Sequence, residues 1–167
     1  MNTDQIATFL QGRRLRVVTA ESCTAGLIAS NLADVEGAGD LLDCAFVTYS
    51  PTAKQKCLGV RPETIAEYGL TSEEVAREMA LGALHSGSAN LAVANTGVAD
   101  SVDPDIPSGT QCYAWAFASE RGSPFVCSET RRFEGDRNRI RRDSAAYALE
   151  RIPQLYAKFA ERVSSDR

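Results

Sequence analysis

Histidine, methionine and tryptophan are nearly missing from this 167-residue chain: there is one His, two Met and one Trp, and aromatic residues make up only 7%. A single imidazole, His85, leaves no His pair for a zinc site, and the five cysteines at 23, 44, 57, 112 and 127 contain no CxxC. Their number is odd, which argues against a disulfide framework. Cys44, Cys57, Cys112 and Cys127 lie among apolar neighbours and are expected to pack as small hydrophobes in a reducing, cytoplasmic compartment. No run approaches the roughly 20 apolar residues of a membrane helix. The first 18 residues also lack the apolar centre of a secretory signal. Basic residues are outnumbered, 18 to 22, giving a net charge of −4. That balance disfavours nucleic acid as a partner but leaves room for a small anion held by a local arginine.

What is present is 44% hydrophobic residues, enough for a core, in a length suited to one domain over residues 1–167. Helical spacing of Ile6, Phe9 and Leu10 predicts a first helix, with Asn2 or Thr3 as its cap. Short apolar runs at 15–20, 44–49 and 90–95 read as buried strands, and 23–32 as a helix. Pro51 and Pro62 suit the first turn of two further helices, the second closed by Gly69. Ser72, Val75, Met79 and Ala83 mark an amphipathic helix to about residue 86. Strands at 110–117 and 125–133 flank a turn containing Gly122 and predict an antiparallel hairpin. An arginine-rich helix begins at Asp136 and is kinked or split at Pro153. Strands alternating with helices, then a hairpin, imply a three-layer α/β/α fold on a mixed, mostly parallel sheet. Such sheets bind ligands at the carboxyl ends of their strands.

Four clusters fall at those ends. Glu21-Ser22-Cys23-Thr24-Ala25-Gly26 joins the first strand to its helix. Ser22 there is either a nucleophile served by the amides after it or, more commonly, a helix cap. Tyr49-Ser50-Pro51-Thr52-Ala53-Lys54 follows the second strand. A lysine in a dry pocket can act as a base toward a serine, but most lysines are solvated, and spacing does not separate Lys54 from Lys56. Thr96 and Gly97 end the third strand, where a threonine could hold a ligand and a glycine admit it, or simply form a turn. Gly135-Asp136-Arg137 opens the arginine-rich helix. An arginine in a first helical turn opposes the dipole unless it binds an anion. Arg139, Arg141 and Arg142 read as a solvated face.

At these clusters the chain resembles the CinA C-terminal domain family in its stand-alone form. The resemblance rests on Glu21-Ser22-Cys23-Thr24-Ala25-Gly26, Tyr49-Ser50-Pro51-Thr52-Ala53-Lys54 and Leu58-Gly59-Val60. It continues through Gly69-Leu70-Thr71-Ser72, Thr96-Gly97-Val98-Ala99, Pro107-Ser108-Gly109-Thr110 and Gly135-Asp136-Arg137. It implies an amidohydrolase that converts nicotinamide mononucleotide to nicotinate mononucleotide and ammonia without metal or cofactor. By that resemblance Ser22 is the nucleophile, Lys54 its base and Tyr49 an assistant. Cys23 and Thr24 supply oxyanion amides, and Thr96, Gly97 and Arg137 complete the substrate site, Arg137 toward either phosphate or amide. A homo-oligomer accords with the resemblance, although no motif requires one.

Three departures from the family pattern stand out. Ala25 replaces a glycine, a change expected to be harmless inside a helix, and Pro51 replaces an asparagine. Residues 99–105 carry Asp100, Asp103 and Asp105 where the family has glycines, and these acids would repel a phosphate they met. The readings in competition are therefore the mononucleotide amidase, a Ser–Lys hydrolase for a less anionic amide, and a non-catalytic binder of a nucleotide or protein. A Cys23–His85 thiol hydrolase is disfavoured, because His85 falls on a helix away from the strand-end clusters.

Overall fold

The computed structural model describes residues 1–120 and 122–165. Strands β1 (Val17–Glu21), β2 (Leu42–Val47), β3 (Leu91–Gly97), β4 (Thr110–Phe117) and β5 (Phe125–Arg132) form one sheet in the order β2-β1-β3-β4-β5. β1 is parallel to β2 and β3, while β4 is antiparallel to both its neighbours, so only β4 runs against the other strands. The sheet is mixed and mostly parallel, as expected.

Strand alternation assigns the two faces. Val17, Leu91, Val93, Tyr113, Trp115 and Phe117 point to one side. There they pack on α1 (Thr3–Gly12), α2 (Leu27–Ala33), α3 (Ala38–Leu41), α7 (Arg137–Glu150) and α8 (Ile152–Ser165). Val18, Ala20, Ala92, Ala94, Ala114 and Ala116 point to the other, against α4 (Pro51–Leu58) and α6 (Glu73–His85), with α5 (Pro62–Tyr68) beside α6. The alanine face lets α6 lie close to the sheet. Gly82 continues that logic, since a Cβ there would overlap the Leu58 carbonyl at the end of α4.

Local chemistry explains the element ends. Asn2 caps α1 in a full capping box with Gln5, Ser50 caps α4 ahead of Pro51, and Ser72 caps α6. The final helical segment is split at Arg151, with Pro153 in the first turn of α8 where its missing N–H costs nothing. Trp115 Nε1 donates to the Ala148 carbonyl at 2.9 Å, fixing α7 over β4.

Three expectations are corrected. Residues 22–26 are a turn and α2 begins only at Leu27, because Ala25 (φ 47°) and Gly26 (φ 94°) are left-handed and interrupt the helix. β2 is a half-exposed edge strand rather than a buried one. Its position at the end of the strand order leaves Cys44 in solvent, and Cys57 on α4 is likewise exposed; Cys112 is buried and Cys127 partly so.

Candidate active site

The site forms where β1 ends between its parallel neighbours. The ladder runs one residue past β1: the Ser22 amide donates to the Asn95 carbonyl at 3.0 Å, and the Thr48 amide to the Glu21 carbonyl at 2.9 Å. Ser22 thus lies between Thr48 and Thr96 at the carboxyl edge. Lys54 is the fourth residue of α4, and a helical side chain leans toward its helix N-terminus. Its ammonium therefore returns to the strand edge. Lys54 Nζ lies 2.9 Å from Ser22 Oγ, 2.6 Å from the Thr48 carbonyl and 3.4 Å from that of Tyr49.

Lys54 is only 1% exposed. Burial pulls its pKa down from 10.5 to about 8. As an ammonium, Lys54 donates to Ser22 Oγ and to the two carbonyls; once neutral, it keeps two N–H groups for the carbonyls and can turn its lone pair to the Ser22 hydroxyl. Lys56, by contrast, is exposed on α4, so the structure chooses between the two lysines.

The turn bearing Ser22 is held from several sides. Glu21, fully buried, accepts four hydrogen bonds, from the Thr24 hydroxyl (2.7 Å) and the amides of Gly26, Ile28 and Ala29 (2.9, 3.1 and 2.9 Å). A carboxylate, not a serine, therefore satisfies the α2 N-terminus, and the reading of Ser22 as a helix cap fails. Asn95 Oδ1 accepts the Thr24 amide at 3.2 Å, and its Nδ2 donates to Gln111 Oε1 at 3.0 Å. From α7, Arg141 donates to the carbonyls of Cys23 (2.9 Å) and Thr24 (3.3 Å).

These contacts revise several assignments. Thr24 has both its amide and hydroxyl engaged internally and is no oxyanion donor. The Cys23 amide makes no hydrogen bond among the described residues, so it alone of the two expected donors is available. Arg141 is not a solvated side chain but a clamp on the turn that carries Ser22. Thr96 donates its hydroxyl to the Leu70 carbonyl at 2.8 Å, tying β3 to the segment before α6. Gly97 makes its close approach to β4, where a Cβ would come within 2.5 Å of the Thr110 carbonyl.

Ser22, Cys23, Tyr49, Lys54, Thr96 and Gly97 line one cleft of about 230 Å³, completed at its mouth by Asp100 and Arg137. Tyr49, 56% exposed, reaches the dyad only through its main-chain carbonyl. Its hydroxyl instead accepts from Arg137 Nη2 at 3.0 Å, while Arg137 Nη1 meets Asp100 Oδ2 at 3.3 Å. Asp100, and after it Tyr49, raise the Arg137 pKa above its ordinary value. Asp103 and Asp105 do not line this cleft. Among the described residues no three His, Cys, Asp or Glu side chains cluster as a metal site, and no helix is long and apolar enough to cross a membrane.

Sequence reasoning missed Glu21, Asn95, Gln111 and Arg141. A signal existed for each: three are polar residues in otherwise apolar strands, and Arg141 lies one helical turn from Arg137, on the same face.

Comparison with known proteins shows the family. A family model described as the CinA C-terminal domain matches residues 2–156, and the chain belongs to that family. Nicotinamide-nucleotide amidohydrolase PncC of Escherichia coli K12 is 40% identical over 156 residues, covering 92% of both chains. A putative competence-damage inducible protein of Symbiobacterium thermophilum is 39% identical over 88% of this chain but only 36% of its own length. The crystal structure of the competence damage-inducible protein A of Klebsiella pneumoniae superposes with a TM-score of 0.85 at 33% identity, covering 94% of this chain and 98% of that one.

Proposed function

We propose that this protein hydrolyses the carboxamide of nicotinamide mononucleotide, giving nicotinate mononucleotide and ammonia, with Ser22 as nucleophile and Lys54 as its base. The observation that carries the reading is the 2.9 Å contact between Ser22 Oγ and a buried Lys54 Nζ that no carboxylate among the described residues neutralises. The 40% identity to a nicotinamide-nucleotide amidohydrolase over nearly the whole chain supports the substrate.

Ser22 Oγ attacks the carboxamide carbon as its proton passes to Lys54 Nζ. The Cys23 amide donates to the developing oxyanion, a contact typically worth roughly 3–4 kcal/mol. Lys54 then gives its proton to the departing nitrogen, and ammonia leaves an ester on Ser22. Water, deprotonated by the restored amine, cleaves that ester. With a pKa of about 8, about a tenth of Lys54 is neutral at pH 7, so base and acid forms are both within reach.

The cleft, about 230 Å³, is smaller than most pockets for drug-sized ligands, roughly 300–1,000 Å³. It suits the ring and amide, with ribose and phosphate lying over the exposed rim at Tyr49, Asp100 and Arg137. Five unpaired thiols support a cytoplasmic setting. Ammonia release from nicotinamide mononucleotide by the purified protein tests the reading. Turnover that disappears in Ser22→Ala is expected; undiminished turnover in that variant, or none in the folded wild type, overturns it.

A further inference from the structure

Among the described residues Arg137 is the only cationic side chain lining the cleft besides Lys54, and Lys54 is held against Ser22 at its floor. Arg137 lies in the first turn of α7, where the helix dipole disfavours a cation. It is held by Asp100 at 3.3 Å and by the Tyr49 hydroxyl at 3.0 Å. All three side chains are more than half exposed at the cleft mouth. Asp100 precedes a loop that closes on itself, with Gly109 donating to the Val98 and Ala99 carbonyls and Ser101 to Ser108 Oγ. The Asp100 carboxylate is thus attached to a fixed frame and set against the guanidinium at the rim.

We propose that Asp100 is a specificity-determining residue. It acts as a built-in anion that competes with the substrate phosphate for Arg137 and lowers the preference of this enzyme for phosphorylated over unphosphorylated nicotinamide nucleosides. The inference rests on the amidase reading. A phosphate approaching Arg137 must displace Asp100 and then remain beside it. The repulsion of a dianion by one rim charge in a water-like dielectric corresponds to about tenfold in affinity. Salt weakens the effect, because the pair is solvent-exposed. A substrate ending in the ribose hydroxyl meets no such competition.

The experiment compares nicotinamide mononucleotide with nicotinamide riboside in wild type, Asp100→Asn and Asp100→Ala. Both variants are expected to raise the ratio of kcat/KM, mononucleotide over riboside, by about tenfold, mainly through the mononucleotide KM. The gain should shrink at high salt and become smaller when Arg137→Ala is added, because competition for Arg137 is then lost while the direct repulsion of the phosphate by Asp100 remains. An unchanged ratio overturns the proposal. So does a parallel loss on both substrates, which would place Asp100 against the cationic pyridinium ring instead. Titration calorimetry with ribose 5-phosphate keeps the two ideas separable. If neither amide is hydrolysed the amidase reading fails, yet ribose 5-phosphate binding that tightens several-fold in Asp100→Ala still upholds the competition, and binding that does not tighten ends it.

Discussion

The floor and the rim of the cleft are built on opposite principles. At the floor, Ser22, Lys54, Glu21, Thr24 and Asn95 are buried and hold one another through short hydrogen bonds from two strands and three helices. At the rim, the side chains of Tyr49, Asp100 and Arg137 are exposed and are bonded to one another. A buried polar group must be satisfied wherever the chain folds, so the floor admits few alternatives. A rim charge contributes little to stability and is free to change. The acids that depart from the family pattern lie on the loop after β3, with Asp100 at the rim, while Glu21, Ser22, Thr24 and Lys54 at the floor match it and Ala25 and Pro51 depart beside them. The chemistry and the substrate preference of this fold can therefore diverge independently.

The sharpest way to break that contrast is at the dyad. Ser22→Ala and Lys54→Met are each expected to lower ammonia release by at least about a thousandfold. Lys54→Met should also stabilise the fold at neutral pH. The folded pKa of about 8 lies below the ordinary 10.5, so the unfolded state holds more protons between those values and wild-type stability rises with pH across them. The full penalty, at most about 3 kcal/mol, is present below pH 8. Lost bonds to the Thr48 carbonyl offset part of the gain. Denaturation at pH 7 and pH 10 should show the advantage of the variant shrinking at the higher pH.

Next in size is Glu21. Glu21→Gln presents an amide to backbone donors and is expected to cost about 2–4 kcal/mol, read as a fall in denaturation midpoint. Arg141 and Arg137 separate floor from rim on a single helix. Arg141→Ala should reduce kcat about ten- to a hundredfold with little change in KM, because it loosens the nucleophile turn. Arg141→Lys should recover part of that loss. Arg137→Ala should instead raise the mononucleotide KM. The smallest effect is at Ala25, whose left-handed φ of 47° carries strain that glycine lacks. Ala25→Gly should gain about 0.5–1 kcal/mol after the entropy of the added glycine is deducted.

Much of this was legible in the sequence. Pro51, Pro62 and Ser72 mark the starts of α4, α5 and α6, and the hairpin and the split last helix follow from Gly122 and Pro153, because these residues act locally. Strand-to-helix junctions converge in any such sheet, which pointed to the clusters holding Ser22, Lys54, Thr96 and Arg137, while only the family resemblance preferred Lys54 to Lys56. What escaped was tertiary. Nothing local says that Glu21 replaces the cap of α2, delaying that helix to Leu27. Tyr49 turns away from the dyad because a residue after an edge strand has a solvent side to occupy. Arg141 resembled its solvated neighbours because only the docking of α7 brings it to the Cys23 carbonyl.

The pH dependence of kcat/KM for ammonia release from nicotinamide mononucleotide puts the Ser22–Lys54 dyad to the test. A buried lysine acting as base predicts a rate that climbs tenfold per pH unit and levels off near pH 8, with any residual activity of Lys54→Met lacking that limb. A profile that is flat from pH 6 to 9, or one that Lys54→Met reproduces, would contradict it.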